Sequence, residues 1–322
     1  MKEPTYENAI TNSWSIAWKH KSLWVLGLLA ALLGQFGLSS FFSRVWFLCK
    51  HGTVTSLSWA GTDVLTSFAD FSWKNIMGFV WLGVIMLIIF VGVVFVAISA
   101  QSALVYYLAA NFEKKKFTDL SKAWHKGVQR FWQVFGINVL YKLTLVFLVG
   151  ITIVLLRISD INLNSSLNYV FGLLIGLILL AYIFVSIVYV YSLGYAIIGK
   201  FNVVDSIGRA FRLLSDHVLV SLEVGIIMMF LNLLLFIVAV CSLLIAFLPV
   251  VVIWIVAAVL NLTPLAIFGF VCGIILWLLL IVVVGSVYNV FNTGAWIYLF
   301  VKMHKEGVIS RLVHYARKMF KK

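Results

Sequence analysis

Charge is what this sequence has least of. Asp, Glu, Lys and Arg make up only 11% of its 322 residues, against about a quarter in an ordinary soluble domain. A surface so poor in charge excludes water as the main solvent. Acidic groups are the scarcest, 11 against 24 basic ones, and only Glu223 among them lies inside an apolar run. General acid-base or nucleophilic chemistry needs paired carboxylates or a Ser/His/Asp set brought together. The chain is therefore expected not to be an enzyme. Cysteine is also rare: Cys49, Cys241 and Cys272 are scattered, the last two in apolar runs. A free thiol there behaves as a small hydrophobe, so neither a disulfide framework nor a metal site is expected. The histidines, His20, His51, His125, His217, His304 and His314, stand singly with no second ligand at metal spacing. Glycine-rich phosphate loops are absent, so no cofactor is expected. The first twenty or so residues are polar, and no short hydrophobic segment ends in a small-residue cleavage site, which argues against a removable signal peptide.

What the sequence has in abundance is hydrophobic residues, 63% of the total. Several runs exceed 20 residues almost without charge, and at about 1.5 Å per residue each can cross a hydrocarbon layer of roughly 30 Å. Membrane β-barrels alternate apolar and polar residues, whereas Phe79 to Ala100 does not alternate. The reading is all-α: a polytopic membrane bundle of about six spans, near 22 to 42, 78 to 111, 132 to 156, 167 to 199, 218 to 247 and 265 to 301. The net charge of +13 does not point to nucleic acid, because no solvated domain gathers the basic residues. Instead it sets orientation. Of the 24 Lys and Arg, 19 fall on the side of the two termini, four (Arg44, Lys50, Lys74, Arg157) on the other, and Lys142 within a span. Positive flanks stay in the cytosol, so both termini are expected to be cytoplasmic and the protein to sit in the inner, or cell, membrane. Between Pro249 and Pro264, the apolar stretch Val250 to Leu260 is too short to span, and a re-entrant or interfacial hairpin on the outer side is expected, with a split of the last third into more spans as the alternative. The outer segment 43 to 77, with Trp46, Trp59, Phe68, Phe71 and Trp73, suits an aromatic belt or cap.

A weak threefold repeat runs through the chain, at 5–112, 117–200 and 203–302 within one membrane domain. Each pair of spans follows a short amphipathic segment, and the three align without gaps on Ser13 and Trp14, Ala123 and Trp124, and Ala210 and Phe211. Six to seven residues later comes His20, Arg130 or His217, just before a long span. Helical spacing supports this. In the third copy Val203, Val204, Ile207, Ala210, Phe211 and Leu214 make one stripe, with Asp205, Arg209 and Arg212 opposite. The second copy sets Leu120, Ala123, Trp124, Val128 and Phe131 against Lys122, His125, Lys126 and Gln129. A fourth segment, 307–322, carries Val308, Leu312, Ala316 and Met319 on one face, with Arg311, His314, Arg317, Lys318 and Lys321 off it. Such helices lie at the headgroup boundary, where anionic lipid attracts each cation by about 1 kcal/mol. Packing under the bundle as elbows is the compatible structural alternative. The expected partners are membrane lipids, anionic by charge, through Lys122, Lys126, Arg130, Arg209, Arg212, Arg311, Arg317, Lys318, Lys321 and Lys322, with room for a protein partner and none for nucleic acid.

The small-aromatic segment leading into two long spans, as in Asp205 to Phe211 and Ala9 to Gly27, resembles a group of uncharacterised bacterial polytopic membrane proteins. These are similar to the membrane domain attached to some glycerophosphodiester phosphodiesterases. The resemblance implies a membrane domain of that kind. It carries over no activity and no functional residue, because in those enzymes the chemistry belongs to a separate soluble barrel.

Within the spans, polar groups are costly enough to mark candidate sites. Lys142 and Glu223 form one possible buried pair, at about 3 kcal/mol or more each on insertion scales, although snorkelling or a wet interface would also accommodate them. Asn289, Asn292 and Thr293 form one polar face at i, i+3 and i+4, either lining a path or bonding helix to helix. Gln101 and Ser102, and Asn138, admit the same two readings. Gly172 and Gly176 form a small-xxx-small pair that favours close helix contact. The leading functional expectation is a lipid-organising, lipid-binding or scaffold protein. The alternative is a small-molecule or lipid transporter whose path passes Lys142, Glu223 and Asn289. Convergence of the polar groups on a wet cavity would favour transport, and dry packing the scaffold.

Overall fold

A computed structural model describes residues 5–31, 73–114, 119–161, 165–260 and 262–306, and these residues are helical almost throughout. In chain order the helices are α1 (Thr5–Lys19), α2 (Leu23–Ala31), α3 (Trp73–Lys114), α4 (Leu120–Gln129), α5 (Phe131–Ile161), α6 (Ser165–Ile197), α7 (Val203–Asp216), α8 (Val218–Val259) and α9 (Thr263–Glu306). Among the described residues five helices are long and apolar enough to cross a membrane, in α3, α5, α6, α8 and α9. The protein is thus an all-α, multi-pass membrane protein. Backbone N–H and C=O groups find no partner in hydrocarbon except within the helix itself, which makes helices the low-energy form of these uncharged runs. The expected first span lies largely outside the described residues, which end at Ala31 and resume at Trp73. The proposed cap residues Trp46, Trp59, Phe68 and Phe71 are outside them as well, as is the basic segment 307–322.

The long helices α3, α6 and α9 touch one another at the centre. Around them, α2 packs against α3 and α9, α5 against α6 and α3, and α8 against α9 with a lighter contact to α6. Short helices fill the same end: α4 docks on α3, α7 on α6, and α1 on α9. α4 and α7 therefore each dock on the long helix that precedes them, while α1 docks on α9 and closes a ring of contacts. The tightly buried stretches lie at this end, Ala97 to Ala109 in α3, Ile187 to Ile197 in α6 and Val287 to Met303 in α9. Further along, residues 80–93 of α3 are exposed on every side. A helix apolar all round is stable when hydrocarbon surrounds it.

The joints between short and long helices are brief. Arg130 and His217 are the single non-helical residues between α4 and α5 and between α7 and α8, and His20 begins the three-residue joint between α1 and α2. At His217 the N–H reaches back to the carbonyls of Leu213 and Leu214, both at 3.2 Å. Small residues set the approach of α4 and α2. A Cβ on Gly127 would fall 2.7 Å from the Ser99 carbonyl oxygen, and one on Gly27 would fall 2.7 Å from that of Ser286, so only hydrogen fits at either place.

Two expectations are overturned. Residues 249–264 do not form a re-entrant hairpin, because α8 runs through Pro249 to Val259 and the chain turns at Leu260. Pro249 forfeits one hydrogen bond, but unwinding the chain in an apolar setting would strip several backbone groups at once. The segment is also zipped onto α9. Gly269 and Gly273 lie directly against Ile253 and Val250, and Trp254 donates its indole N–H to the Ala266 carbonyl at 3.0 Å. Pro264 sits in the first turn of α9, where its missing N–H has no intrahelical partner to lose. Gly172 and Gly176, in turn, mediate no close contact: a Cβ at either would meet nothing within 4 Å. Small-residue spacing permits close approach but does not supply the opposing helix.

Candidate functional site

The intramembrane polar residues gather at the seams between helices. Gln101 of α3, Asn138 of α5 and Tyr189 of α6 are 2%, 4% and 3% exposed. They close a ring of hydrogen bonds. The Gln101 amide donates to the Tyr189 hydroxyl at 2.9 Å, that hydroxyl donates to Asn138 Oδ1 at 2.8 Å, and Asn138 Nδ2 donates to Gln101 Oε1 at 3.0 Å. The second Asn138 N–H reaches the Val134 carbonyl at 2.9 Å. Each of the three groups thus donates once and accepts once within the ring. Tyr141 stacks on Tyr189 with ring centroids 4.1 Å apart, and its hydroxyl meets Ser186 Oγ at 3.3 Å. These hydrogen bonds tie three helices together.

A second polar seam joins α9 to α2. Asn289 Nδ2 donates to the Gly27 carbonyl at 2.7 Å, and the Ser286 hydroxyl donates to the Trp24 carbonyl. Thr293 Oγ1 reaches Asn289 Oδ1 at 3.5 Å. Asn292 is 2% exposed, and its Oδ1 finds no hydrogen-bond partner among the described residues. Trp24 in turn donates to the Ala17 carbonyl at 2.7 Å, fastening α2 to α1. At the third seam, the Tyr191 hydroxyl of α6 and Ser221 Oγ of α8 lie 2.9 Å apart. Each central helix therefore reaches by a polar bond to an outer helix of the neighbouring segment: α3 to α5, α6 to α8, α9 to α2.

The structure brings Gln101 and Asn138 together, and Asn289 with Thr293, but as separate groups. Ser102 turns back onto its own helix, donating to the Ile98 carbonyl at 2.8 Å. Lys142 is exposed and Glu223 half-buried. Among the described residues no ion pair joins these two, and α5 and α8 do not pack as neighbours. The cleft between α6, α7 and α8, lined by Ile183, Phe184, Ile187, Leu214, Val218 and Leu222, is apolar and has no room for a water molecule. Among the described residues no three His, Cys, Asp or Glu side chains cluster as a metal site requires.

The described cationic candidates lie around the end that carries the short helices. Lys122 and Lys126 of α4 are exposed while Ala123 and Gly127 are buried. Arg130 at the joint is half-buried. On α7, Arg209 and Arg212 are exposed and Ser206, Ala210, Leu213 and Leu214 are buried. Val204 and Phe211, read from spacing as part of the apolar stripe, are 78% and 63% exposed. The apolar stripe is thus wider than the surface it docks against, and one edge faces outward. Trp14 and Trp18 on α1, and Trp132 at the start of α5, are exposed too. Arg209 holds its guanidinium 3.8 Å above the Phe201 ring. The remaining cationic candidates, Arg311, Arg317, Lys318, Lys321 and Lys322, are outside the described residues.

Sequence reasoning missed Tyr189, Tyr191, Ser221 and Ser286. The usable signal was the tyrosine hydroxyl itself: a Tyr deep in an apolar run needs a partner as surely as an Asn does. No protein-family model matches the chain, no curated protein matches it, and no solved structure matches it.

Proposed function

We propose that this chain is a non-enzymatic inner-membrane protein that binds and organises lipid through three short amphipathic helices on its cytoplasmic face, with scaffolding of a partner as a compatible role. Both termini lie in the cytosol on this reading, and the three helix sets are repeats arranged in a ring. One observation carries it. Exposed apolar side chains and exposed cations share a single end of the bundle: Trp14 and Trp18 with Lys19 and Lys21 on and after α1, Lys122 and Lys126 on α4 with Trp132 at the start of the next helix, Val204 and Phe211 with Arg209 and Arg212 on α7. Water alone disfavours the first set and hydrocarbon alone the second. The headgroup boundary accommodates both, and anionic lipid matches the charge. The dry, mutually satisfied Gln101, Asn138 and Tyr189 ring and the exposed Lys142 give a transport path little support. On this reading the likeness to the membrane domain of glycerophosphodiester phosphodiesterases is one of architecture.

The test is the lipid retained by the full chain purified in mild detergent, compared with a Lys122→Gln, Lys126→Gln, Arg209→Gln, Arg212→Gln variant. At about 1 kcal/mol per cation near the surface, the share of acidic phospholipid should fall several-fold. An unchanged share would refute the lipid reading.

A further inference from the structure

We propose that α1 and α2 form a detachable strap: the bundle opens between them and α9, and stays shut where α4 and α7 dock. This goes beyond the lipid reading and does not depend on it.

Chain connectivity supplies the first argument. α4 follows its dock, α3, and α7 follows its dock, α6, after only a few residues, so a helix that lifts off remains tethered beside its own site at high effective concentration. The strap has no such tether to α9. Its hydrogen-bonded pairs, Trp24 with Ser286 and Gly27 with Asn289, are 262 residues apart.

The chemistry of the seam supplies the second. Both bonds end on backbone carbonyls of α2, within a helix whose own ladder already uses such carbonyls. Among the described residues, parting these two bonds leaves Ser286 and Asn289 to be satisfied, and each can turn to a carbonyl one turn back on α9. Side chains elsewhere in the bundle adopt that arrangement: Ser186 donates to the Tyr182 carbonyl at 2.9 Å, Ser192 to the Val188 carbonyl at 2.7 Å, and Asn138 to the Val134 carbonyl at 2.9 Å. The α3, α5 and α6 seam differs, because parting it breaks the three-way ring at once. Shape agrees with chemistry. Ser13, Ala17, Gly27 and Ala30 present small buried faces, with Gly294 against Ser13 and Val290 against Gly27. Opening would bare the polar edge of α9, Ser286, Asn289 and Thr293, to the bilayer.

Three aligned, fully buried positions make the test: Ser13, Ala123 and Ala210, at 1%, 0% and 0% exposure. Single cysteines are placed at each in the full chain, with Cys49, Cys241 and Cys272 replaced by alanine, and their maleimide labelling rates are compared in reconstituted vesicles. Ser13→Cys should react at least about tenfold faster than Ala123→Cys and Ala210→Cys, as expected when one seam opens at a lower free energy than the others. Adding Asn289→Ala should raise the rate at position 13 alone. Equal rates, or faster labelling at 123 or 210, would overturn the proposal. Amide exchange on the unaltered chain gives the same comparison without substitution: α1 should exchange ahead of α4 and α7, because an undocked 15-residue helix is marginal in water. Simultaneous exchange of the three would also overturn it.

Discussion

Replacing Tyr189 by phenylalanine isolates the polar ring from the packing around it. The ring face against Tyr141 is kept, and one oxygen is lost. That oxygen accepts from Gln101 at 2.9 Å and donates to Asn138 at 2.8 Å, so its removal strands one amide N–H and one amide carbonyl. Both lie where residues are 2% and 4% exposed. A stranded buried group costs about 1–3 kcal/mol, and measured bonds between membrane helices average about 0.6 kcal/mol, because the reference state also finds partners. Together these place Tyr189→Phe at about 2–4 kcal/mol of destabilisation. The triple variant Gln101→Leu, Asn138→Leu, Tyr189→Phe removes every member of the ring and leaves none of the three stranded by another, so it should lie within about 1 kcal/mol of the parent. The decisive result is the order: the triple variant more stable than the single one. Reversible unfolding of the full chain in mixed micelles, followed by tryptophan fluorescence, measures both. A single variant within about 0.5 kcal/mol of the parent, or a triple variant losing the sum of three separate bonds, would refute the closed-ring argument.

Further predictions follow from backbone geometry. Lys200 has φ of 60°, in the left-handed region that follows a helix end, so Lys200→Gly should stabilise the chain by up to about 1 kcal/mol. Gly199→Ala should do the opposite in the same unfolding assay, because a Cβ there would stand 2.6 Å from the Phe201 ring and 2.8 Å from the Tyr195 carbonyl oxygen. Gly127→Ala should push α4 off α3 at a cost of about 1–3 kcal/mol, whereas Gly172→Ala, with open space around it, should be neutral or stabilising by up to about 1 kcal/mol. Pro249→Ala restores a backbone donor to a continuous helix and should leave stability unchanged or higher. A marked loss would mean that the chain turns at Pro249 after all.

Much of the architecture could be read from the chain because it follows from local composition. A run such as Phe79 to Ala100 has one low-energy environment and one backbone conformation in it, whatever its neighbours are. The same reasoning flagged Gln101, Asn138, Asn289 and Thr293, since a polar side chain in an apolar run must find a partner. It did not name the partners. Tyr189 completes the ring from 88 residues away, and the acceptors for Ser286 and Asn289 are backbone carbonyls, which every residue owns and no sequence pattern marks. Pro249 was misread for a related reason: the helix continues because Gly269 and Gly273 let α9 close upon it, a contact that spacing along α8 does not reveal. Exposure followed the same division. The sequence by itself determined that Val204, Phe211, Gly172 and Gly176 lie on helices, because helical spacing is a property of the segment. Only the tertiary structure decided that they face outward, because burial belongs to a pair of surfaces, and which surfaces meet depends on the free energy of the whole packed bundle.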